Sequence, residues 1–433
     1  MKTSESARVR GFESYLLRSA SGLIARTSWY TDIFCDYGGL IMLLSTPPLG
    51  WNSWNTFGED INEKVVMESA DTMVNTGLRD AGYNYIVIDD CWLLRERDSE
   101  GRMVPDPEKF PHGMKYVADY VHSKGLKFGM YSCAGYLTCA GYPASFDHEF
   151  VDAATFAEWG VDYLKFDYCF HPNTIPGHVL YKRMAVALAN CGRDIAFSAC
   201  SWGSDETKLW IKETGANLWR TTGDINDSWK SLKELSIVAG DAIRYGAINC
   251  YPDMDMLICG MHGNGNVGLA GCTDDEYRLH FSLWALLGSP LMIGCDIRNM
   301  DEATKAMLTN KEVLAINQDP DYNQAFLCSN DASPLPLHDQ DAQLRSGETP
   351  IYARLLANGD YAIGMFNLSD NKTSRWNMSL QVDRIGLPES SGKTLELTEL
   401  WTGEKITVTN GILCQEVAPH SCKLFRGKVV DKK

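Results

Sequence analysis

Between about residues 48 and 300, short β-type runs alternate with stretches whose apolar residues recur at three and four spacing. That alternation restricts the possible folds more than any other feature of the chain. The predicted strands are 49–54, 85–89, 127–131, 163–167, 195–199, 217–221, 247–250 and 291–294. Predicted helices between them include 63–76, 112–124, 152–159, 177–190, 228–239 and 274–287. Eight β/α units in series imply an α/β fold, a (β/α)₈ TIM barrel with its helices outside a closed parallel sheet. After Gln318-Asp319-Pro320 the texture changes: β-rich segments at 351–356, 361–367, 394–400 and 405–408 are separated by turns such as Asn358-Gly359-Asp360 and Thr402-Gly403. These read as the hairpins of a C-terminal antiparallel β-sandwich. The expected organisation is an extension over 1–45 set apart from the fold, a barrel over 46–322 and a sandwich over 323–433. Two such units suit a chain of 433 residues.

With 40 basic against 56 acidic side chains, the net charge of −16 repels nucleic acid and anionic lipid and leaves a neutral ligand such as a sugar unaffected. No segment approaches the ~20 apolar residues of a membrane span. The 14 cysteines lack the dense spacing of a small disulfide scaffold, so most are expected to be free and buried. The first 41 residues contain no apolar stretch like that of a signal peptide. A reducing, cytoplasmic location is the resulting expectation. Histidines never fall at metal-ligand spacing, and neither a metal nor a cofactor is expected.

Catalytic groups of such a barrel project from the C-terminal ends of its strands. Here the second strand ends in Asp89-Asp90, the third in Tyr131, the fourth in Lys165-Phe166-Asp167 and the fifth in Cys200-Ser201-Trp202. The sixth ends in Arg220 and is followed by Asp224, and Asp253 and Asp255 follow the seventh. A single Asp after a strand often caps the next helix. Several at one face converge on one mouth, and two carboxylates about 5–5.5 Å apart suffice for retaining glycoside hydrolysis. Lys165 lies two residues before Asp167 and points the same way, so its cation would hold Asp167 ionised or contact substrate hydroxyls. Gly263-Asn264-Gly265-Asn266-Val267-Gly268 matches the dinucleotide fingerprint of a nicotinamide enzyme. It comes too late after the seventh strand and lacks the acidic partner of that motif, which favours a glycine-rich loop at the barrel mouth. A catalytically silent sugar-binding barrel is the other rival, and the presence of both Asp167 and Asp224 argues against it. Glycosylation patterns occur at Asn226, Asn367, Asn371 and Asn377.

Several runs in order carry a family resemblance. They are Pro48-Leu49-Gly50-Trp51-Asn52-Ser53-Trp54, Ile88-Asp89-Asp90-Cys91-Trp92, Gly129-Met130-Tyr131, Thr138-Cys139-Ala140-Gly141-Tyr142-Pro143, Leu164-Lys165-Phe166-Asp167, Trp219-Arg220 and Asp224-Ile225-Asn226-Asp227-Ser228-Trp229. Together they resemble the α-galactosidase and α-N-acetylgalactosaminidase family, glycoside hydrolase family 27. The likeness is strong over about residues 46–320 and present only in outline beyond. It implies a carbohydrate substrate with a terminal α-galactosyl or α-N-acetylgalactosaminyl group, Asp167 as nucleophile and Asp224 as acid/base. It also implies that Asp89 and Asp90 bind the 4- and 6-hydroxyls, that Lys165, Tyr131, Arg220 and Asp255 line the site, and that Trp51 packs on the sugar face. Ser201 and Ser204, flanking Trp202, stand where the choice between galactose and its 2-acetamido analogue is made. Serines there leave room for an acetamido group, so both sugars stay open, with galactose favoured. Cys139 and Cys169 match a disulfide pair of the family and would be either bridged or two thiols. Cys91 has lost its usual partner to Glu59. The resemblance leaves a homo-oligomer open.

Overall fold

The computed structural model describes residues 42–328, 347–371, 373 and 378–432; the extension before Met42 and two of the residues in the glycosylation patterns, Lys372 and Asn377, lie outside the described residues. The barrel strands are β1 (Leu49–Asn52), β2 (Tyr85–Val87), β3 (Lys127–Cys133), β4 (Tyr163–Asp167), β5 (Ala196–Ala199), β6 (Leu218–Arg220), β7 (Tyr251–Asp253) and β8 (Leu291–Ile293). From β1 to β7 each pairs in parallel with the next, β8 pairs with β1, and an isolated parallel bridge between Leu257, beyond β7, and Ile293 of β8 closes the sheet. Helices α1 (Glu63–Asn75), α2 (Gly113–Ser123), α3 (Glu149–Trp159), α4 (Gly177–Ala189), α5 (Trp229–Ala242) and α6 (Asp274–Leu287) correspond to the predicted set. Two short helices follow, α7 (Glu302–Leu308) and α8 (Lys311–Asn317).

Local signals explain these boundaries. The Asn62 side chain caps α1 by accepting from the Val65 amide, and Thr273 with Glu276 forms a reciprocal capping box on α6. The seventh strand differs from expectation. Residues Ala247 and Cys250 form only a tight bridged turn, and the strand begins at Tyr251 and contains Pro252. Proline has no N–H for a ladder, so the sequence pattern disfavours this segment as a strand.

Strand residues sort by parity. Ile86, Phe128, Leu164, Phe197, Trp219 and Ile293 face outward into the helix layer, whereas Tyr85, Val87, Tyr163, Ala196, Leu218, Tyr251 and Met292 fill the barrel's lower interior. Inward positions further along the strands are polar, and these reach the mouth.

The C-terminal part forms a six-stranded antiparallel sheet from β9 (Phe326–Leu327), β10 (Ile351–Leu355), β11 (Tyr361–Asn367), β13 (Lys393–Glu399), β14 (Lys405–Thr407) and β16 (Ser421–Asp431). Its strand order is β9-β10-β11-β16-β13-β14. A two-stranded ribbon of β12 (Ser379–Gln381) and β15 (Ile412–Cys414) covers one face, burying Met365, Leu380, Leu413 and Phe425 in a shared core. The opposite face, with Tyr352, Ala362, Phe366 and Leu424, joins the barrel core. Helix α6 lies between, which is why almost its entire length after the first turn is buried, including the polar His280 and Ser282. Among the described residues, no helix is long and apolar enough to cross a membrane.

Candidate active site

The inward column at the C-terminal strand ends assembles the polar cluster. Register sets Tyr131 beside Lys165, Lys165 beside Ser198, and Cys133 beside Asp167. Lys165 Nζ donates to Asp89 Oδ2 at 2.8 Å, and Asn52 Nδ2 donates to the same oxygen at 2.8 Å. Asp89 Oδ1 accepts from the Asp90 amide, so that carboxylate is held from three sides. Asp90 accepts from the Cys91 and Ala140 amides, tying the second strand end to the loop that carries Cys139.

Asp167 is buried at the end of β4 and accepts from the Tyr168 amide. Burial raises its carboxyl pKa, Lys165 offsets part of that, and the Asp224 charge adds to it, leaving it at about 6. Asp224 lies on the loop after β6 with its side chain 70% exposed, and Arg220 donates to it at 2.8 Å. Its pKa is lowered: the partial burial that would raise it is outweighed by Arg220 and Lys165. Arg220 is itself buried and contacts Asp255 at 2.8 Å as well. Asp255 Oδ2 accepts from the Ile225 amide, one residue after Asp224, so the Arg220–Asp255 pair fixes the base of that loop. Asp253, buried below, accepts from the Asp255 amide, and burial pushes its carboxyl up to about 6 against the pull of Arg220.

Cys139 and Cys169 form a disulfide, and their sulfurs lie within 4.8 Å of an Asp167 oxygen. Tyr131 is buried, with its hydroxyl 3.4 Å from Cys139 Sγ and its ring 5.4 Å from Lys165 Nζ. The other described cysteines are free. Cys133 is buried opposite Asp167 with its thiol directed at the Cys169 carbonyl. Where the usual bridge of Cys91 would sit, Lys109 Nζ instead donates to the carbonyls of both Glu59 and Cys91.

Two expectations, on Trp51 and Ser201, need correction. Trp51 pairs in register with Ile86 and Ile293, faces the helix layer, is wholly buried and donates its indole N–H to the Cys295 carbonyl. It presents no open face to a ligand; the aromatic residue at the mouth end of β1 is the half-buried Trp54, three residues on. Strand β1 ends at Asn52 and Trp54 opens the short helix Trp54–Phe57, so strand alternation does not set its facing. Ser201 is fully buried and its hydroxyl is bonded to Thr207 Oγ1, so it does not open into the cleft. Ser204 is exposed on the following turn, and Trp202, half-buried with φ 57°, packs edge-on to Tyr168. The glycine-rich run is a loop at the mouth: Asn266 and Val267 donate their amides to Thr56 and Asn55. Asn367, one of the glycosylation candidates, is fully buried and spends its amide N–H groups on three backbone carbonyls.

A (β/α)₈ barrel whose mouth joins two interacting aspartates, one sheltered and one open, with fixed cations and hydrogen-bonding groups around them, defines a glycoside hydrolase. The family model described as alpha galactosidase A matches residues 46–319, and that of the alpha galactosidase C-terminal beta sandwich domain matches 346–426. An alpha-galactosidase of Cyamopsis tetragonoloba is 43% identical over 382 residues, 88% of this chain and 85% of that protein. The crystal structure of alpha-galactosidase I from Mortierella vinacea is 31% identical with a TM-score of 0.80, covering 91% of this chain and 99% of the other. The alpha-galactosidase of Saccharomyces cerevisiae with raffinose is 28% identical with a TM-score of 0.76, covering 89% and 98%. The chain belongs to the α-galactosidase family, glycoside hydrolase family 27.

Proposed function

We propose that the protein removes terminal α-linked galactose from oligosaccharides by double displacement, with Asp167 as nucleophile and Asp224 as acid/base. In the first step an Asp167 oxygen attacks C1, the bond from C1 to the leaving oxygen breaks, and that oxygen takes the proton of Asp224. In the second, Asp224 removes a proton from water, the water oxygen bonds to C1, and Asp167 departs as carboxylate. Asp89 and Asp90 are the acceptors for the sugar's hydroxyls, and Lys165 the donor shared between Asp89 and the substrate. Trp54, rather than Trp51, supplies the aromatic surface for the sugar's C–H face.

The observation that carries this reading is the electrostatic linkage of the pair: each carboxylate's charge opposes ionisation of the other, so together they retain one proton across mildly acidic pH. Without substrate that proton resides on Asp167, and Arg220 keeps Asp224 ionised, the state the second step requires. A leaving-group sugar over the exposed Asp224 excludes water and raises its pKa, while the cationic sugar in the transition state favours charge on Asp167. Binding thereby moves the proton to where the first step needs it.

Asp224→Ala tests the assignment. Turnover of a poor-leaving-group α-galactoside should fall by about 10³-fold or more, whereas p-nitrophenyl α-galactoside with added azide should recover, giving the α-galactosyl azide. Absence of that product would reject Asp224 as the acid/base.

A further inference from the structure

Below the strand ends, the barrel interior holds a chamber of about 20 Å³, with Asn52, Lys165, Ser198, Arg220, Asp253 and Asp255 as its polar lining. That volume takes one water molecule, and a chamber so polar holds its water where an apolar one of equal size would stay dry. Arg220 on β6 and Asp253 on β7 are register partners on neighbouring parallel strands, so their side chains leave the sheet on the same side. They nevertheless form no direct ion pair among the described residues; the partners of Arg220 are Asp224 and Asp255, each at 2.8 Å.

The guanidinium is spent on every side but one. Nη1 faces Asp255 and the Cys200 sulfur, and Nη2 donates to Asp224 and to the Thr222 carbonyl. Nε is buried and is the one guanidinium nitrogen with no hydrogen-bond partner among the described residues. A cation's N–H left without an acceptor in a buried place is costly, so such a group calls for a partner. Asp253 offers the matching half. Its Oδ1 accepts from the Asp255 amide at 2.9 Å, and its main-chain carbonyl accepts from the amide and the hydroxyl of Thr221. The carboxylate is thus fixed in place, and Oδ2 is left for the chamber that Asp253 lines.

We propose that Asp253 is a positioning residue for the acid/base, acting through one ordered water in this chamber. The water accepts from Arg220 Nε and donates to Asp253 Oδ2, with Ser198 and Asn52 in the same lining for its second proton. A guanidinium is a planar, rigid fork, so fixing two of its edges sets the third. Asp255 holds the Nη1 edge, the water and Asp253 hold Nε, and Nη2 is thereby aimed at Asp224. Asp224 needs that support, because its side chain is 70% exposed on a loop and would otherwise sample positions away from the leaving oxygen. The inference rests on the assignment of Asp224 as acid/base.

Leaving groups of different acidity isolate the effect. Methyl α-galactoside cannot lose its methoxyl group without the proton of Asp224, whereas p-nitrophenolate leaves with little help. In Asp253→Leu, which keeps the volume and loses both oxygens, the ratio of kcat/KM for methyl α-galactoside to that for p-nitrophenyl α-galactoside should fall about tenfold. Asp253→Asn keeps polar atoms for the amide and the water and should restore the ratio to within about threefold of wild type. A folded Asp253→Leu whose two substrates lose rate in equal proportion would overturn the inference. A crystal structure of the wild-type protein supplies a second measurement, independent of whether the leucine variant folds. Density for a water within hydrogen-bond distance of both Arg220 Nε and Asp253 Oδ2 is the result expected, and a direct bond between those two atoms or a chamber without density overturns it. Failure of the underlying assignment reads differently, since Asp224→Ala would then leave the same ratio unchanged.

Discussion

Lys165 and Arg220 divide the carboxylates of the cleft between them, and the division sets when the enzyme can work. Lys165 is bonded to Asp89 and partly offsets the burial of Asp167, while Arg220 is bonded to Asp224 and Asp255. The reactive pair must carry one proton. It gains a second only below the ordinary carboxylate range, because the pKa of Asp224 is lowered, and it loses its last near the value of about 6 at Asp167. kcat/KM should therefore decline as pH rises through about 6, since a doubly ionised pair has no proton for the leaving oxygen. A profile that climbs steadily from pH 6 to 8 would contradict the assignment. The same burial affects stability. A carboxyl whose pKa is raised on folding costs nothing below its unfolded value near 4, and stability is lost as pH rises through its folded value near 6. Asp167→Asn removes that cost. Thermal unfolding should show the variant more stable than wild type at pH 7 by about 2–3 kcal/mol, with the difference vanishing near pH 4. Turnover should be abolished at either pH.

At the scale of elements, close approach between the C-terminal sheet and α6 depends on Gly364 in β11. A Cβ there would lie 2.5 Å from Leu286 Cδ2 and equally close to the Phe366 ring, both buried. Gly364→Ala should destabilise by about 1–3 kcal/mol through overpacking, read as a lower urea midpoint with the slope unchanged. How much of this architecture the sequence disclosed follows from signal length. Seven of the barrel strands were legible as short apolar β-type runs buried on both faces, and six helices because their period-3.6 pattern is uninterrupted. Strand β7 was misplaced onto Ala247–Cys250 because Pro252 obscures the true segment, and α7 and α8 are too short for their period to stand out. The aspartates at the mouth were legible because strand ends can be read from sequence. The facing of Trp51 required exact register, and the Arg220–Asp224–Asp255 linkage joins groups brought together only by folding.

The whole molecule shares its interior across the two parts that sequence texture separates. Tyr352, Phe366 and Leu424 of the C-terminal sheet belong to the same buried cluster as Leu283, Trp284 and Leu286 of α6 and the outward face of the barrel. Trp401 donates to the Ser282 hydroxyl, and His420, stacked on Trp229 at the start of α5, bonds to Glu276 in the first turn of α6. A barrel stripped of residues beyond 322 would leave that helix face in water. At about 25 cal/mol per Å² of apolar surface, each large side chain so exposed forfeits about 1.5–3 kcal/mol, and three or four of them equal much of a domain's net stability. Calorimetry of the full chain should accordingly show one cooperative transition that includes both parts. Two resolved transitions, with glycosidase activity persisting after the first, would show that the barrel stands alone.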